Sequence, residues 1–320
     1  MAIKNGKLQL KLIVTQYAIV FVLILIVIFF TMANSRFLTY TNILNILRQV
    51  ATIGIMSVGM TMVFITGGID LSVGSVAGIA AVVAAKLMLA NINLVLAFLI
   101  VLIISALCGL FNAFWINRIQ LPPLITTLAT MSSLRGVAYI ITGGLPVFGF
   151  GNKIAVLGKG QIAGFPVPVF IMLMMFIAGA VLLEKTKFGR YIYGTGGNEE
   201  ATRLSGINVK KIRYMVYTLC SMLSGFAGVV LLARINSGQP KIGDGYEMDV
   251  ITAVVLGGVS INGGAGKIQL VIVGVLIMGI LSNGMILLNV QEYVQWVVKG
   301  LALLGAVGLE KFIQSRRKSI

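Results

Sequence analysis

Asp70 differs from the other acidic residues of this chain because long apolar runs flank it on both sides. An ionisable side chain in such surroundings is by default a candidate functional group, which would contact a polar solute or carry a coupling ion. A structural role competes with that interpretation. Asp is a good helix N-cap, and Ser72 and Ser75 follow it in a plausible first helical turn. The sequence alone leaves both interpretations open.

Other reactive side chains are scarce. The chain has no histidine, which excludes imidazole base catalysis, histidine proton relays and histidine metal sites. Cys108 and Cys220 lie inside apolar stretches, which indicates small buried packing residues rather than a disulfide or a metal site. The run that ends Gly266-Lys267-Ile268 is not a P-loop, because Ile261 stands where glycine is needed and Ile268 replaces Ser or Thr. We therefore expect no catalytic residue, no metal and no bound cofactor in this chain.

The composition explains why these groups must be positioned by membrane helices. Of 320 residues, 58% are hydrophobic and 11% are charged, and the mean hydropathy is +1.01. Soluble domains carry roughly 25% charged residues, so a soluble enzyme, a coiled coil and a disordered chain are all excluded. One span takes about 20 apolar residues, which leaves room for about ten spans. We predict an all-α integral membrane protein with a single membrane domain over 1–320.

Charge-free runs locate ten predicted spans, of which some are short or broken. They lie near 13–33, 49–66, 71–90, 94–117, 121–142, 166–183, 212–233, 249–262, 268–288 and 293–310. An even number of spans places both termini on one side. The basic head and tail, together with the basic segment 184–213, predict that this side is the cytoplasm. The net charge of +16 is thus assigned to membrane orientation and not to nucleic-acid binding.

Several predicted spans are interrupted by glycine and proline, most clearly at 67–75, 121–123, 143–146 and 257–266. Irregular backbone at membrane depth survives only where protein or a water-filled cavity satisfies it, and in transporters it marks the substrate path. Polar residues in or near these interruptions are therefore candidates to line a translocation path: Asp70, Ser72, Asn112, Thr126 and Thr127. Hydrogen bonding to a neighbouring helix is the alternative for each of them.

The source of energy is the next question. An ion-driven carrier usually has several intramembrane acids, whereas this chain offers at most one, and it has no P-loop. It is therefore either a passive pore or a subunit driven by another protein. In segment 184–213, Asn198 is predicted to cap a short helix that starts at Glu199, and Gly206 is predicted to end it. Such a helix at the membrane surface is a candidate binding site for a partner protein, and a solvated loop is the alternative.

This segment carries a resemblance to a known family. Glu200-Ala201-Thr202-x-x-x-Gly206 resembles the EAA loop of ABC importer permeases, with Thr202 in place of the second alanine. Over roughly residues 37–310 the chain resembles the ribose-type permeases of monosaccharide importers. The motifs that carry this likeness lie at 63–75, 121–128, 135–136, 188–207, 246–249 and 254–258. Thr195, Thr202, Ala113 and Val250 depart from the pattern without removing a motif.

The resemblance implies a type II ABC importer-like permease in a bacterial cytoplasmic (inner) membrane. It implies a homodimer with the solute path at its interface, an ABC ATPase subunit that uses ATP and Mg, and an extracytoplasmic sugar-binding protein. The ATPase would bind the coupling residues, namely Gly197, Asn198, Glu199, Glu200, Ala201, Arg203, Leu204, Ser205 and Gly206. The binding protein would contact the outer loop at Asp244, Glu247 and Asp249, for which a solvated loop is the alternative.

The expected solute is a monosaccharide, with ribose first. The alternatives are a nucleoside, a branched-chain amino acid or a sugar-like signal, and, from another class, an ion-coupled carrier or channel.

Overall fold

A computed structural model of the protein describes residues 19–152 and 154–318. The predicted basic head (Lys4, Lys7 and Lys11), the start of the first predicted span and Lys153 lie outside them. The described chain is helical, apart from one small antiparallel hairpin of β1 (Gln161–Ile162) and β2 (Phe165–Pro166). The helices are α1 (Ile19–Ala33), α2 (Tyr40–Ile65), α3 (Val73–Leu89), α4 (Leu94–Asn117), α5 (Pro123–Thr142), α6 (Ala155–Lys159), α7 (Val167–Lys185), α8 (Lys187–Gly197), α9 (Glu199–Leu204), α10 (Val209–Ile235), α11 (Tyr246–Leu256), α12 (Ile268–Leu287) and α13 (Glu292–Lys318).

The described residues contain six helices that are long and apolar enough to cross a membrane: α2, α4, α5, α7, α10 and α12. Two further apolar helices, α1 and α3, are shorter over their described lengths. The prediction of a multi-pass helical membrane protein is confirmed. The number ten is not reached by these criteria and stays a prediction.

Helices α2 and α10 form the centre of the molecule, and α3, α4, α7, α11 and α12 pack around them. Small residues bring the backbones together at the crossings. A Cβ at Gly59 of α2 would lie 2.7 Å from the Cα of Cys220 in α10, and a Cβ at Gly109 of α4 would lie 2.6 Å from the Cα of Thr218. Close packing through small residues is the usual way in which membrane helices associate. Cys220 is thus a buried packing residue, and neither it nor Cys108 forms a disulfide.

Three helices differ most from the sequence-based prediction, and within the described residues the others differ by at most three residues at either end. Helix α2 begins at Tyr40 instead of 49, because the helix continues through polar residues that a hydropathy criterion rejects, including Arg48. The span predicted at 249–262 is only the 11-residue α11, which stops at Gly257 and Gly258. At about 1.5 Å per residue α11 covers roughly half of a 30 Å hydrocarbon core. Helix α13 covers the last predicted span and continues to Lys318.

Candidate functional site

The predicted short helix of segment 184–213 is present as α9, with the boundaries that its capping residues indicate. The Asn198 side chain accepts a hydrogen bond from the backbone N–H of Ala201 at 2.9 Å. Glu199 and Glu200 occupy the first turn, where carboxylates interact favourably with the helix dipole. Gly206, in the left-handed region at φ = 80°, follows the end of the helix. The short helix was therefore correctly predicted from sequence, whereas α8, which precedes it in the same segment, was not predicted.

One face of α9 packs on the protein and the other faces outward. Thr202 is buried, and its Oγ donates to the Asn198 carbonyl at 2.8 Å while its side chain packs against Gly194 of α8. Thr202, which replaces the second alanine of the EAA pattern, therefore lies on the inward face of α9. On the outward face, Leu204 is 79% exposed and Arg203 pairs with Glu200 at 2.7 Å. A small, charged helix that exposes a large apolar side chain is suited to a complementary protein surface.

An ion pair ties α9 to the long helix α10. Arg213 donates to both carboxylate oxygens of Glu199, at 3.2 and 2.5 Å, across 14 residues of sequence. Arg213 also lines a cavity of about 380 Å³, here called the Arg213 cavity, together with Gly67, Gly68 and Tyr217. The exposed helix is therefore connected through one side chain to the wall of a cavity at the broken segment 66–72.

Asp70 holds that broken segment in place. Its Oδ1 accepts from the Ser72 backbone N–H at 2.9 Å and from the Ser72 hydroxyl at 2.6 Å, and Asn112 of α4 donates to the same hydroxyl oxygen at 2.9 Å. All three residues are fully buried. The Tyr217 hydroxyl donates to the Ile69 carbonyl at 3.3 Å from the other side. This geometry gives Asp70 a loop-fixing role, which is the structural alternative to solute contact that the sequence had left open.

The five candidate path residues come together only in part. Asp70, Ser72 and Asn112 form one network, whereas the hydroxyls of Thr126 and Thr127 donate to carbonyls of their own helix start, at 3.2 and 2.9 Å. None of the five is among the residues that line the Arg213 cavity. In this conformation Asp70, Ser72 and Asn112 join the broken segment to α4, whereas the two threonine hydroxyls bond within α5 and its N-terminal turn. A role of the five in contacting solute stays a prediction.

At the other end of α10, one basic residue binds the loop between α10 and α11, and a second binds α11 itself. Arg135 of α5 donates to the carbonyls of Pro240 and Ile242, both at 2.8 Å, and lies 3.9 Å from the Asp244 carboxylate. Lys299 of α13 pairs with Asp249 at 2.7 Å. Both cations lie within predicted spans, at 121–142 and 293–310, and the sequence alone indicates no partner for either. An unpaired charge at membrane depth was the signal that each needed one.

The three candidates for contact with a binding protein differ in their exposure to solvent. Asp244 is exposed at the loop, but Glu247 and Asp249 are 8% and 1% exposed and belong to α11 instead of a loop. Helix α11 packs against α2, α3, α12 and α13, which buries Asp249. Glu247 reaches a neighbouring cavity of about 610 Å³, here called the Trp296 cavity, which Lys241, Glu292 and Trp296 also line.

These features define a class. The chain is a multi-pass α-helical membrane protein of the permease kind, with buried broken segments and one capped surface helix. Its residues 42–307 match the family described as branched-chain amino acid transport system / permease component, and the chain belongs to that family. It is the permease subunit of an ABC importer, in a binding-protein-dependent system with an ATPase partner, and a multi-pass inner membrane protein.

Curated relatives of similar length include permeases of two sugar transport systems. The ribose import permease protein of Bacillus subtilis (strain 168) is 44% identical over 291 residues, which cover 90% of each chain. The corresponding protein of Escherichia coli (strain K12) is 44% identical over 296 residues, covering 91% of this chain and 92% of that one. The L-arabinose transport system permease protein of Escherichia coli (strain K12) is 38% identical over 305 residues, covering 95% and 93%. No solved structure gives a significant match.

Proposed function

We propose that this chain carries a monosaccharide across the inner membrane, with ribose as the first solute to test. The observation that supports ribose is the 44% identity, over nine tenths of the chain, to two ribose import permeases. A pentose is also what the name of the 38% identical relative indicates. The family description names branched-chain amino acids, but the more similar relatives favour a sugar.

The same comparison and the helices described above support the proposed architecture in outline. The chain forms one domain over 1–320, and α1, α3, α11 and α13 complete a type II arrangement of ten helices. Both termini and the coupling segment 184–213 lie in the cytoplasm. Two copies associate as a homodimer around the solute path, and a sugar-binding protein docks on the outer face near Asp244.

Energy is supplied by the partner. In the proposed cycle, the ATPase subunit holds ATP and Mg, and this chain binds no cofactor and breaks no bond. The coupling residues from Gly197 to Gly206, which include α9, bind in a groove of the ATPase. ATP-driven movement of α9 then switches access to the solute path between the outer and inner faces of the membrane. The switch is a rigid-body change, one of the common forms of conformational transition.

The test is uptake of labelled ribose into vesicles that hold this chain with its candidate ATPase and binding protein. We expect uptake that requires ATP on the ATPase side and both partners. Omission of the binding protein and an ATPase variant that cannot hydrolyse ATP are the controls. ATP-dependent uptake of arabinose, a nucleoside or an amino acid instead of ribose would change the substrate and keep the architecture. Gradient-driven uptake by the chain alone would overturn the proposal.

A second test addresses the coupling residues. Substitution of Glu200 by Gln or of Gly206 by Ala is expected to reduce uptake while the ATPase still co-purifies. Unchanged uptake in both variants would remove α9 from its proposed role.

A further inference from the structure

A glycine-rich loop that follows α11 meets the coupling segment and the end of α2 at one point on the inner side. We call this point the inner junction and define it by Ile65, Tyr193, Gly196, Gly264 and Gly266. The Gly264 N–H donates to the Ile65 carbonyl at 2.8 Å, and the Tyr193 hydroxyl of α8 donates to the Gly266 carbonyl at 2.8 Å. Hydrogen bonds therefore join the loop 257–267 to both other elements.

The contact at the inner junction is between backbones, without side chains in between. A Cβ at Gly196 would lie 2.6 Å from the Gly264 nitrogen and would also collide with the Ile65 carbonyl. A Cβ at Gly264 would lie 2.6 Å from the Cα of Gly197. Real Cβ atoms do not approach other atoms so closely, so the three segments fit together only because glycine occupies these positions. Backbone contact of this kind transmits displacement with little slack, because packed interiors are not continuously deformable.

The hydroxyl that closes the junction keeps its proton. Burial, with a smaller contribution from the Glu184 carboxylate, raises the pKa of Tyr193 above its ordinary value. Tyr193 is therefore a donor to the Gly266 carbonyl over the physiological pH range.

The loop 257–267 follows directly on the short helix α11, which reaches towards the outer side. The first turn of α11 carries Glu247, which lines the Trp296 cavity, and Asp249. Asp249 is paired with Lys299 of α13. Helix α11 is only 11 residues long, so one rigid element connects the inner junction to this ion pair. A displacement of the inner junction therefore reaches the ion pair through α11.

We propose that the inner junction is where movement of the coupling segment enters the membrane domain, with Tyr193 and Gly196 as positioning residues for transport. This inference rests on the proposed function and names the part of the chain through which α9 acts. Tyr193 and Gly196 hold the loop 257–267 against α8, so that the loop and α11 follow α8 when the ATPase moves it.

The test compares variants in proteoliposomes that contain the whole complex. Tyr193→Phe removes one hydroxyl, and Gly196→Ala forces the loop away from α8. Matched controls are Tyr214→Phe, whose hydroxyl makes no hydrogen bond within the described residues, and Gly305→Ala, which has open space around its Cβ. The readout is solute taken up per ATP hydrolysed, which a loss of folded complex alone does not change.

We expect Tyr193→Phe to lower that ratio about threefold, consistent with the loss of one hydrogen bond, and Gly196→Ala to lower it about tenfold or more. The controls should stay within about twofold of the wild type. The inference is overturned if Tyr193→Phe couples as the wild type does, whether or not Gly196→Ala assembles, since Tyr193→Phe leaves the packing intact.

A second measurement needs no solute and therefore separates this inference from the proposed substrate. Hydrogen exchange of the amides in 260–266 should change about threefold or more when ATP binds the partner ATPase in the wild-type complex, and not in Tyr193→Phe. An exchange response in a complex that takes up no sugar would support the junction while the proposed substrate fails. Equal responses in both proteins would exclude the junction whatever the solute.

Discussion

Lys299 and Asp249 form the most deeply buried ion pair among the residues that the structure describes, with side chains 20% and 2% exposed. Removal of one partner leaves an uncompensated charge in the protein interior. We expect Lys299→Met to destabilise the folded chain by about 3–5 kcal/mol and Asp249→Asn in the same chain to restore a large part of the loss. Thermal unfolding in detergent measures both changes.

The matched control is Lys241→Ala. Lys241 pairs with Glu292 at 3.4 Å, but both side chains are more than half exposed, and such surface pairs contribute at most about 1 kcal/mol. A Lys299 variant as stable as the Lys241 variant would show that the buried pair contributes nothing to stability.

Ser72 gives a second prediction at this scale, because its hydroxyl both donates to Asp70 and accepts from Asn112. Ser72→Ala removes both hydrogen bonds from a fully buried site, so we expect a loss of about 1–3 kcal/mol in unfolding free energy. Thr39→Ala, which removes an exposed hydroxyl, should cost less than about 0.5 kcal/mol. Equal melting temperatures for the two variants would contradict the assigned loop-fixing role.

At the scale of elements, the relation between α9 and α10 depends on Glu199 and Arg213. Arg213→Glu should reduce uptake by up to about fivefold while the complex still assembles, as expected for a half-exposed ion pair. The reversed pair, Glu199→Arg with Arg213→Glu, should restore uptake. If the reversed pair transports no better than the single variant, the ion pair is not the connection between these helices.

The outward face of α9 gives a separate prediction about assembly. Leu204 is 79% exposed, and full burial of a leucine side chain in an interface contributes about 1.5–3 kcal/mol. Leu204→Ala should therefore weaken binding of the ATPase by about 2 kcal/mol, near thirtyfold. Titration in nanodiscs measures the affinity, with Leu145→Ala as the control, since Leu145 is 71% exposed after α5, on a different surface. Equal affinities for both variants would place the ATPase contact elsewhere.

Local signals predicted some elements well. The capping residue Asn198 and the terminating Gly206 bound α9 correctly, and α4 has the predicted bounds 94–117. The span predicted at 249–262 extends too far, because the apolar run continues past Gly257 and Gly258, where α11 ends. Pairs such as Arg135 with Asp244 and Lys299 with Asp249 join residues far apart in sequence. Their partners follow only from the packing of whole helices, which no local pattern specifies.

At the scale of the whole molecule, the prediction that follows is the orientation. In a chain with Cys108 and Cys220 replaced by alanine, Ser205→Cys should react with a membrane-impermeant maleimide only in inside-out vesicles. Asp244→Cys should react only in intact cells or right-side-out vesicles, because the positive-inside rule places segment 184–213 in the cytoplasm. The opposite labelling pattern would invert the topology while leaving the fold unchanged.

The short length of α11 also bears on how the protein is made. A segment of 11 residues that carries Glu247 and Asp249 is too short and too acidic to enter a bilayer by itself. Lys299, which neutralises Asp249, leaves the ribosome 50 residues later. Insertion of α11 therefore has to wait for α13, and nascent chains that end before Lys299 are expected to hold this helix outside the membrane.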